Sequence, residues 1–126
     1  MDTISNVKNP TTKAGDGMLH ILLCDDDAIF TETLKRLIEA QPEFNRRYMQ
    51  IECVHDPNAL KKAAVQKADM IFLDIDMGDV NGIALARQMR TIRKDAVLIF
   101  VTTYGEYAAE GYEVSAFRFL PKLQLA

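Results

Sequence analysis

Met70-Ile71-Phe72-Leu73-Asp74-Ile75-Asp76 is the stretch on which the fold turns. Four apolar residues in succession, without a helical period, predict a strand buried on both faces. The run stops abruptly at a carboxylate, and a second acid follows two residues later. In an open parallel sheet the carboxyl ends of the strands face the crevice where ligands bind. Asp74 is therefore expected where chemistry takes place, although an Asp after a strand also commonly opens a turn.

The remaining chain is arranged around that strand. Leu19 to Cys24 is a second buried run, and it ends in Asp25-Asp26-Asp27. Phe30, Leu34, Leu37, Ile38 and Gln41 then recur at helical spacing, predicting an amphipathic helix from Ala28 to Ala40 that Pro42 closes. Tyr48 to Val54 alternates loosely around Met49, Ile51 and Cys53, as a half-exposed strand does. Asp56-Pro57 reads as an N-cap and a first-turn proline, opening a short helix that carries Leu60, Ala63, Ala64 and Val65. The central strand is taken as Met70 to Asp74. In the loop after it, from Gly78 to Gly82, Asn81 caps a helix from Ile83 to Thr91. Ala96 to Thr102 is a fourth buried strand, and Glu106 to Tyr112 is a weak helix interrupted by Gly111. Phe117 to Leu120 is the fifth strand, with Lys122 just beyond it. Strands alternating with helices argue an α/β fold, a parallel sheet with right-handed crossovers.

A chain of 126 residues suffices for one domain with a single core and is too short for two. Its composition, 48% hydrophobic and 26% charged, is that of a soluble globular protein. A net charge of -3 exerts no general pull toward nucleic acid or anionic membrane, so this chain is not expected to bind nucleic acid itself. Cys24 and Cys53 lie in apolar runs and act as small hydrophobes, while His20 and His55 stand alone, so no thiolate or imidazole metal site is expected. No segment approaches a membrane span and no signal-peptide core is present, which makes the cytoplasm the expected location. Residues 1–17 are polar and aperiodic and are expected to form a disordered N-terminal extension, with the domain at 18–126. A covering helix should follow the fifth strand, and the domain reads as truncated there, its last helix missing.

Asp25 and Asp26, Asp74, Thr102 and Lys122 all follow the ends of successive strands and converge on one rim. Two carboxylates 4 Å apart repel by about 4 kcal/mol at an effective dielectric near 20. A cation or a raised pKa must relieve that repulsion. An oxygen-only site without His or Cys suits Mg2+, which binds through one or two carboxylates and a substrate phosphate. Lys122 and the Thr102 hydroxyl add one positive charge and one hydrogen bond for a phosphoryl group, and a carboxylate in such a setting can itself take the phosphoryl. Each piece has a plainer reading. Asp27 caps the following helix, Thr102 is an ordinary β-branched strand residue, and Lys122 is a solvated lysine.

Leu22-Leu23-Cys24-Asp25-Asp26, Phe72-Leu73-Asp74-Ile75-Asp76-Met77 with Asn81-Gly82, Val101-Thr102, and Phe119-Leu120-Pro121-Lys122 together resemble the receiver domain of a two-component response regulator. That resemblance implies a flavodoxin-like, doubly wound five-stranded parallel sheet of strand order 2-1-3-4-5. It implies Asp74 as phosphoacceptor, Asp26 as a direct Mg2+ ligand, Asp25 acting partly through water, and the Asp76 backbone carbonyl as a further ligand. Thr102 and Phe119 resemble the switch pair, and Lys122 the lysine that bridges to the phosphoryl. The domain would then be no enzyme in the ordinary sense: it accepts a phosphoryl from a sensor histidine kinase and assists its own phosphorylation and dephosphorylation. Tyr104-Gly105-Glu106-Tyr107-Ala108 and Phe117-Arg118-Phe119-Leu120 are similar to receivers that precede LytTR-type DNA-binding domains, which implies transcription regulation through an output domain outside this chain.

Two other functions compete with that one. Asp74-Ile75-Asp76 also fits haloacid-dehalogenase-like phosphatases, but those place their metal-binding acids after the lysine, and Asp25-Asp26 come long before it. An unphosphorylated pseudo-receiver is the other, favoured by Thr103 beside the switch threonine and by Leu123 after the lysine. One further expectation follows from helix count. Four helices leave the first nearly alone on its face, so an apolar strip beside strands three and five should stay uncovered. At roughly 400 Å2 such a strip forgoes about 10 kcal/mol, an upper bound. Self-association into a homodimer, or low stability, is expected in consequence.

Overall fold

Successive side chains of a strand point to opposite faces of the sheet, so a wholly apolar run is stable only where both faces are covered. The computed structural model, which describes residues 17–102, 115–116 and 118–122, has that arrangement. In chain order it contains β1 (Leu19–Cys24), α1 (Ala28–Glu39), β2 (Met49–Val54), a 3-10 turn (Pro57–Ala59) and α2 (Lys62–Lys67). These are followed by β3 (Met70–Leu73), β4 (Asp76–Met77), β5 (Val80–Asn81), α3 (Gly82–Ile92), β6 (Val97–Thr102) and β7 (Arg118–Pro121). The five long strands form one parallel sheet in the order β2-β1-β3-β6-β7, while β4 and β5 make a separate two-residue antiparallel ribbon. With the ribbon set aside, this is the expected 2-1-3-4-5 order of a flavodoxin-like receiver fold.

Alternation along each strand feeds two cores. Ile21, Leu23, Met70, Phe72, Ile99 and Val101 join Leu34 and Ile38 of α1. Leu22, Cys24, Ile71, Leu73, Leu98 and Phe100 join Val65 of α2 and Ile83, Ala86 and Met89 of α3. Helix α1 starts where its cap dictates: the Asp27 carboxylate accepts from Phe30 N–H at 3.0 Å, and Thr31 Oγ1 donates to the Asp27 carbonyl. Leu34 and Ile38 are buried as expected, but Leu37 is 37% exposed, and buried Thr31 takes the place in the stripe that periodicity assigned to it.

The uncovered apolar strip is not found among the described residues. Ile99 and Val101 are 0% and 1% exposed and Phe72 is buried. Phe30, Phe44 and Leu120 all pack against this cluster, so cover comes from more than the inner face of α1. The helix expected from Asp56 is also divided. Asp56 caps only the 3-10 turn, accepting from Asn58 N–H at 2.9 Å. Leu60 is then extended and packs on the core, and α2 begins afresh at Lys62. Tyr48 precedes β2, and Asp74 lies just past β3. The expected extension before Gly17, the helix from Glu106 to Tyr112, Thr103, Leu123 and any cover beyond Lys122 fall outside the described residues.

Asp69, which no motif marks, ties three strands at the amino end of the sheet. Its N–H donates to His20 O at 2.8 Å, its Oδ2 accepts from His20 N–H at 2.9 Å, and its carbonyl accepts from Val97 N–H at 2.9 Å. Arg93 reaches Asp69 Oδ1 at 3.1 Å and also donates to the carbonyls of Gln66 and Ala68. At the other end, Gly78 turns the β4–β5 ribbon with φ of +66°, a conformation suited to glycine in a two-residue hairpin. The loop after Asp74 is therefore folded into a ribbon. Gly82 opens α3 against the end of β3: its N–H donates to Ile75 O at 2.6 Å, and a Cβ there would overlap the Asp74 carbonyl oxygen.

Gly82→Ala should accordingly cost about 3 kcal/mol through overpacking against backbone. Gly78→Ala, which meets only open space, should cost about 1 kcal/mol for its positive φ. Urea unfolding midpoints of the two variants check this, and equal losses would show that α3 does not close on Asp74 as described.

Candidate functional site

The parallel ladders run one residue past the ends of the strands. Asp74 N–H donates to Cys24 O at 3.0 Å, and Asp25 N–H donates to Val54 O at 3.1 Å. These bonds set both acids at the carboxyl ends of β1 and β3, where the strand order reverses and α/β sheets bind ligands. Asp25 and Asp74 are buried and Asp26 is exposed, yet one carboxylate oxygen from each lies within 4.8 Å of the others. Asp27, the third acid of the run, is withdrawn from the cluster to cap α1.

Lys122 arrives from the end of β7 and places Nζ 2.9 Å from Asp25 Oδ2 and 3.4 Å from Asp74 Oδ2. Asp25 Oδ1 accepts from Asp27 N–H at 3.0 Å, so both of its oxygens are engaged. Asp74 Oδ1 accepts from Asp76 N–H at 3.4 Å, which sets the Asp76 backbone beside the cluster. Burial, followed by the charge of Asp25, pushes the Asp74 carboxyl up to about 7, and Lys122 only partly offsets them. For Lys122 itself burial favours the neutral amine, but its hydrogen bond and charge attraction to Asp25, reinforced by Asp74, hold it above the ordinary lysine range.

Thr102 is buried at the last position of β6, in register with Pro121. Phe119 is half-buried on β7, where its ring stacks on Phe100 with centroids 5.2 Å apart. Asp25, Asp26, Asp74 and Lys122 are thus brought into one cluster, with the Asp76 backbone at its side. Thr102 and Phe119 stand on the two neighbouring strands. Two aromatic partners had no signal of their own: Phe100, under Phe119, and Phe30, whose ring centroid lies 4.6 Å from Lys122 Nζ. Phe30 was legible only as core, although its place three residues after the cap Asp27 puts it on the first turn of α1, beside the acids. Cys24 is buried in the core, where burial and the nearby Asp25 and Asp74 push its thiol up to about 12. Among the described residues no helix is long and apolar enough to cross a membrane.

Among the described residues three carboxylates face one ammonium, and the raised value of Asp74, from burial and then Asp25, is the electrostatic consequence. A divalent cation would supply the missing charge, and the donor set fits a hard ion such as Mg2+: carboxylate oxygens only, with one exposed member open to solvent.

Residues 21–124 match the family model for the response regulator receiver domain. Among curated proteins, the sensory transduction protein LytT of Bacillus anthracis is 32% identical over 105 residues, a match covering 83% of this chain and 42% of that protein. The chain thus spans about two fifths of the length of such relatives. Among solved structures, the response regulator TrrA of Thermotoga maritima in complex with Mg2+-BeF superposes with a TM-score of 0.66 at 28% identity, covering 82% of this chain and 86% of that one. A response regulator from Burkholderia pseudomallei, with a phosphorylated aspartic acid, calcium and citrate, has a TM-score of 0.64 at 24% identity and covers 82% and 59%, a likeness of fold.

The protonation of Asp74 has a measurable consequence in metal-free protein. Its folded value near 7 exceeds the ordinary 3.8, so the stabilisation from the bound proton is full below the lower value and is lost as pH rises through the higher. In chelator at pH 8, Asp74→Asn should raise the melting temperature by about 5 °C, and at pH 4 the two proteins should melt together. A pH-independent difference would contradict the assigned burial.

Proposed function

The chain belongs to the response regulator receiver domain family, and from that premise we propose that it is the phosphoryl-accepting switch of a longer regulator, with Asp74 as the acceptor. The observation that carries this is the single cluster in which the buried Asp74 carboxylate lies 3.4 Å from Lys122 Nζ, beside Asp25 and Asp26. Asp74 Oδ attacks the phosphorus of a phosphohistidine on a sensor histidine kinase. An oxygen–phosphorus bond forms, the nitrogen–phosphorus bond breaks, and the imidazole leaves with its electron pair. Lys122 balances charge on the phosphoryl oxygens, and the Thr102 hydroxyl donates a hydrogen bond to one of them.

Asp25, Asp26, Asp74 and the Asp76 carbonyl would hold Mg2+, whose chemistry is to neutralise the carboxylates and the incoming phosphoryl group. Movement of Thr102 toward the phosphoryl and repacking of the Phe119 ring then bias a two-state equilibrium, since only one state gains the new contacts. A bias of about 3 kcal/mol changes the ratio roughly 150-fold. The output is a DNA-binding domain of the LytTR type, which the resemblance of Phe117-Arg118-Phe119-Leu120 and the likeness to LytT both favour. This chain works in the cytoplasm without contacting nucleic acid, and its role is regulatory, not that of a turnover enzyme.

A small phosphodonor with Mg2+ should therefore add one acid-labile phosphoryl, seen by intact-mass spectrometry. Asp74→Ala should abolish it, and Asp26→Ala should remove most of the Mg2+ dependence. Equal labelling of wild type and Asp74→Ala would defeat the assignment, and sustained hydrolysis of many phosphate esters would favour a phosphatase. Thr102→Ala should still bind Mg2+ yet lose the amide-shift response of phosphorylated wild type.

A further inference from the structure

Lys122 has a third neighbour besides its two carboxylates. Its Nζ lies over the ring of Phe30, 4.6 Å from the centroid, inside the distance at which an ammonium is attracted by the ring quadrupole. We propose that Phe30 is a positioning residue for the phosphoryl transfer, its ring face offsetting the pull of the Asp25–Asp74 pair and so setting how deep Lys122 sits between them. The inference deepens the assignment of Asp74 as phosphoacceptor and rests on it.

Three observations make the ring a fixed support. Its backbone N–H is tied to the Asp27 cap at 3.0 Å, so its place on the first turn of α1 is set by the acidic run itself. Leu23, Leu34, Phe72 and Val101 supply apolar walls to the pocket that Phe30 lines, Asp25 and Asp74 border it at the rim where Lys122 sits, and Thr31 Oγ1 is satisfied by the Asp27 carbonyl. Lys122 is largely shielded from water, its side chain 16% exposed, where a cation–π contact is worth more than on an open surface. A lysine held only by carboxylates would be pulled deeper onto Asp25 and Asp74 and would compete for the oxygens that must receive a phosphoryl group and a metal. The ring offers attraction from the opposite kind of partner. It takes no lone pair from the acids and adds no charge to the rim.

A purely structural Phe30 would do no more than fill volume, and that difference can be measured. In the full chain, Phe30 is replaced by mono-, di- and trifluorinated phenylalanine, which keeps its shape and progressively drains the ring face. Phosphorylation by a small acyl phosphate with Mg2+ should slow at each step, by about tenfold over the series. Mg2+ affinity by calorimetry should stay within about twofold, because Asp25, Asp26 and Asp74 are untouched. In a Lys122→Met background the same series should be flat. A flat series with Lys122 present overturns the proposal. If no variant, wild type included, is phosphorylated at Asp74, the acceptor assignment fails, and the Lys122 ε-methylene protons then decide the contact. Upfield ring-current shifts lost in Phe30→Leu support it, and unshifted protons in wild type refute it.

Discussion

Crowded negative charge at the carboxyl rim is the constraint on which the site depends. One carboxylate oxygen from each of Asp25, Asp26 and Asp74 lies within 4.8 Å of the others, and among the described residues the Lys122 ammonium is the cation paired with them. The main-chain ladder enforces that crowding, because the bonds from Asp74 to Cys24 and from Asp25 to Val54 fix the acids whatever their charge. The compensating lysine comes from β7, with the whole of β6 lying between its strand and β3. Local electrostatics here are thus hostage to long-range closure of the sheet. A cation or an arriving phosphoryl group meets a rim already organised to trade a proton for a different partner.

Strand β7 and the residue after it join the acidic cluster to both cores. Phe119 packs toward the α2–α3 core, where it meets Phe100, while Leu120 packs toward the α1 core. Three residues after Phe119, Lys122 reaches over Phe30 to the acids. A displacement of this edge strand would carry Lys122 and the Phe119 ring together. That coupling needs no chain of intermediates, only one short strand with its two faces in different cores.

Strand interiors were legible because a doubly covered strand can be nothing but apolar, and the site acids were legible because strand ends are local features. Asp25, Asp26, Asp74 and Lys122 come together as their positions implied. Less visible were features whose cause lies far along the chain. Asp69 and Arg93 look like ordinary surface charges until the fold buries them together. Leu37 fits the helical stripe, yet it stays partly in water while Thr31, with its hydroxyl satisfied by the Asp27 carbonyl, goes inside. The helix after Asp56 broke because Leu60 is drawn to the core in an extended conformation that no propensity announces. The switch and metal roles proposed for Thr102, Phe119 and the Asp76 carbonyl rest on family resemblance, since nothing in a buried threonine or a stacked ring declares them.

The Asp69 node at the opposite end of the sheet has a mechanical meaning. It bonds β1, β3 and β6 to one another and to Arg93, and it does so with a buried charge pair. Slipping any of those strands by a residue would strand that charge, at a cost of about 3–5 kcal/mol. The sheet is therefore clamped like a cantilever, rigid at its root and loaded at its tip. The register that aligns the acids at the carboxyl rim is thus held from the far end of the same strands.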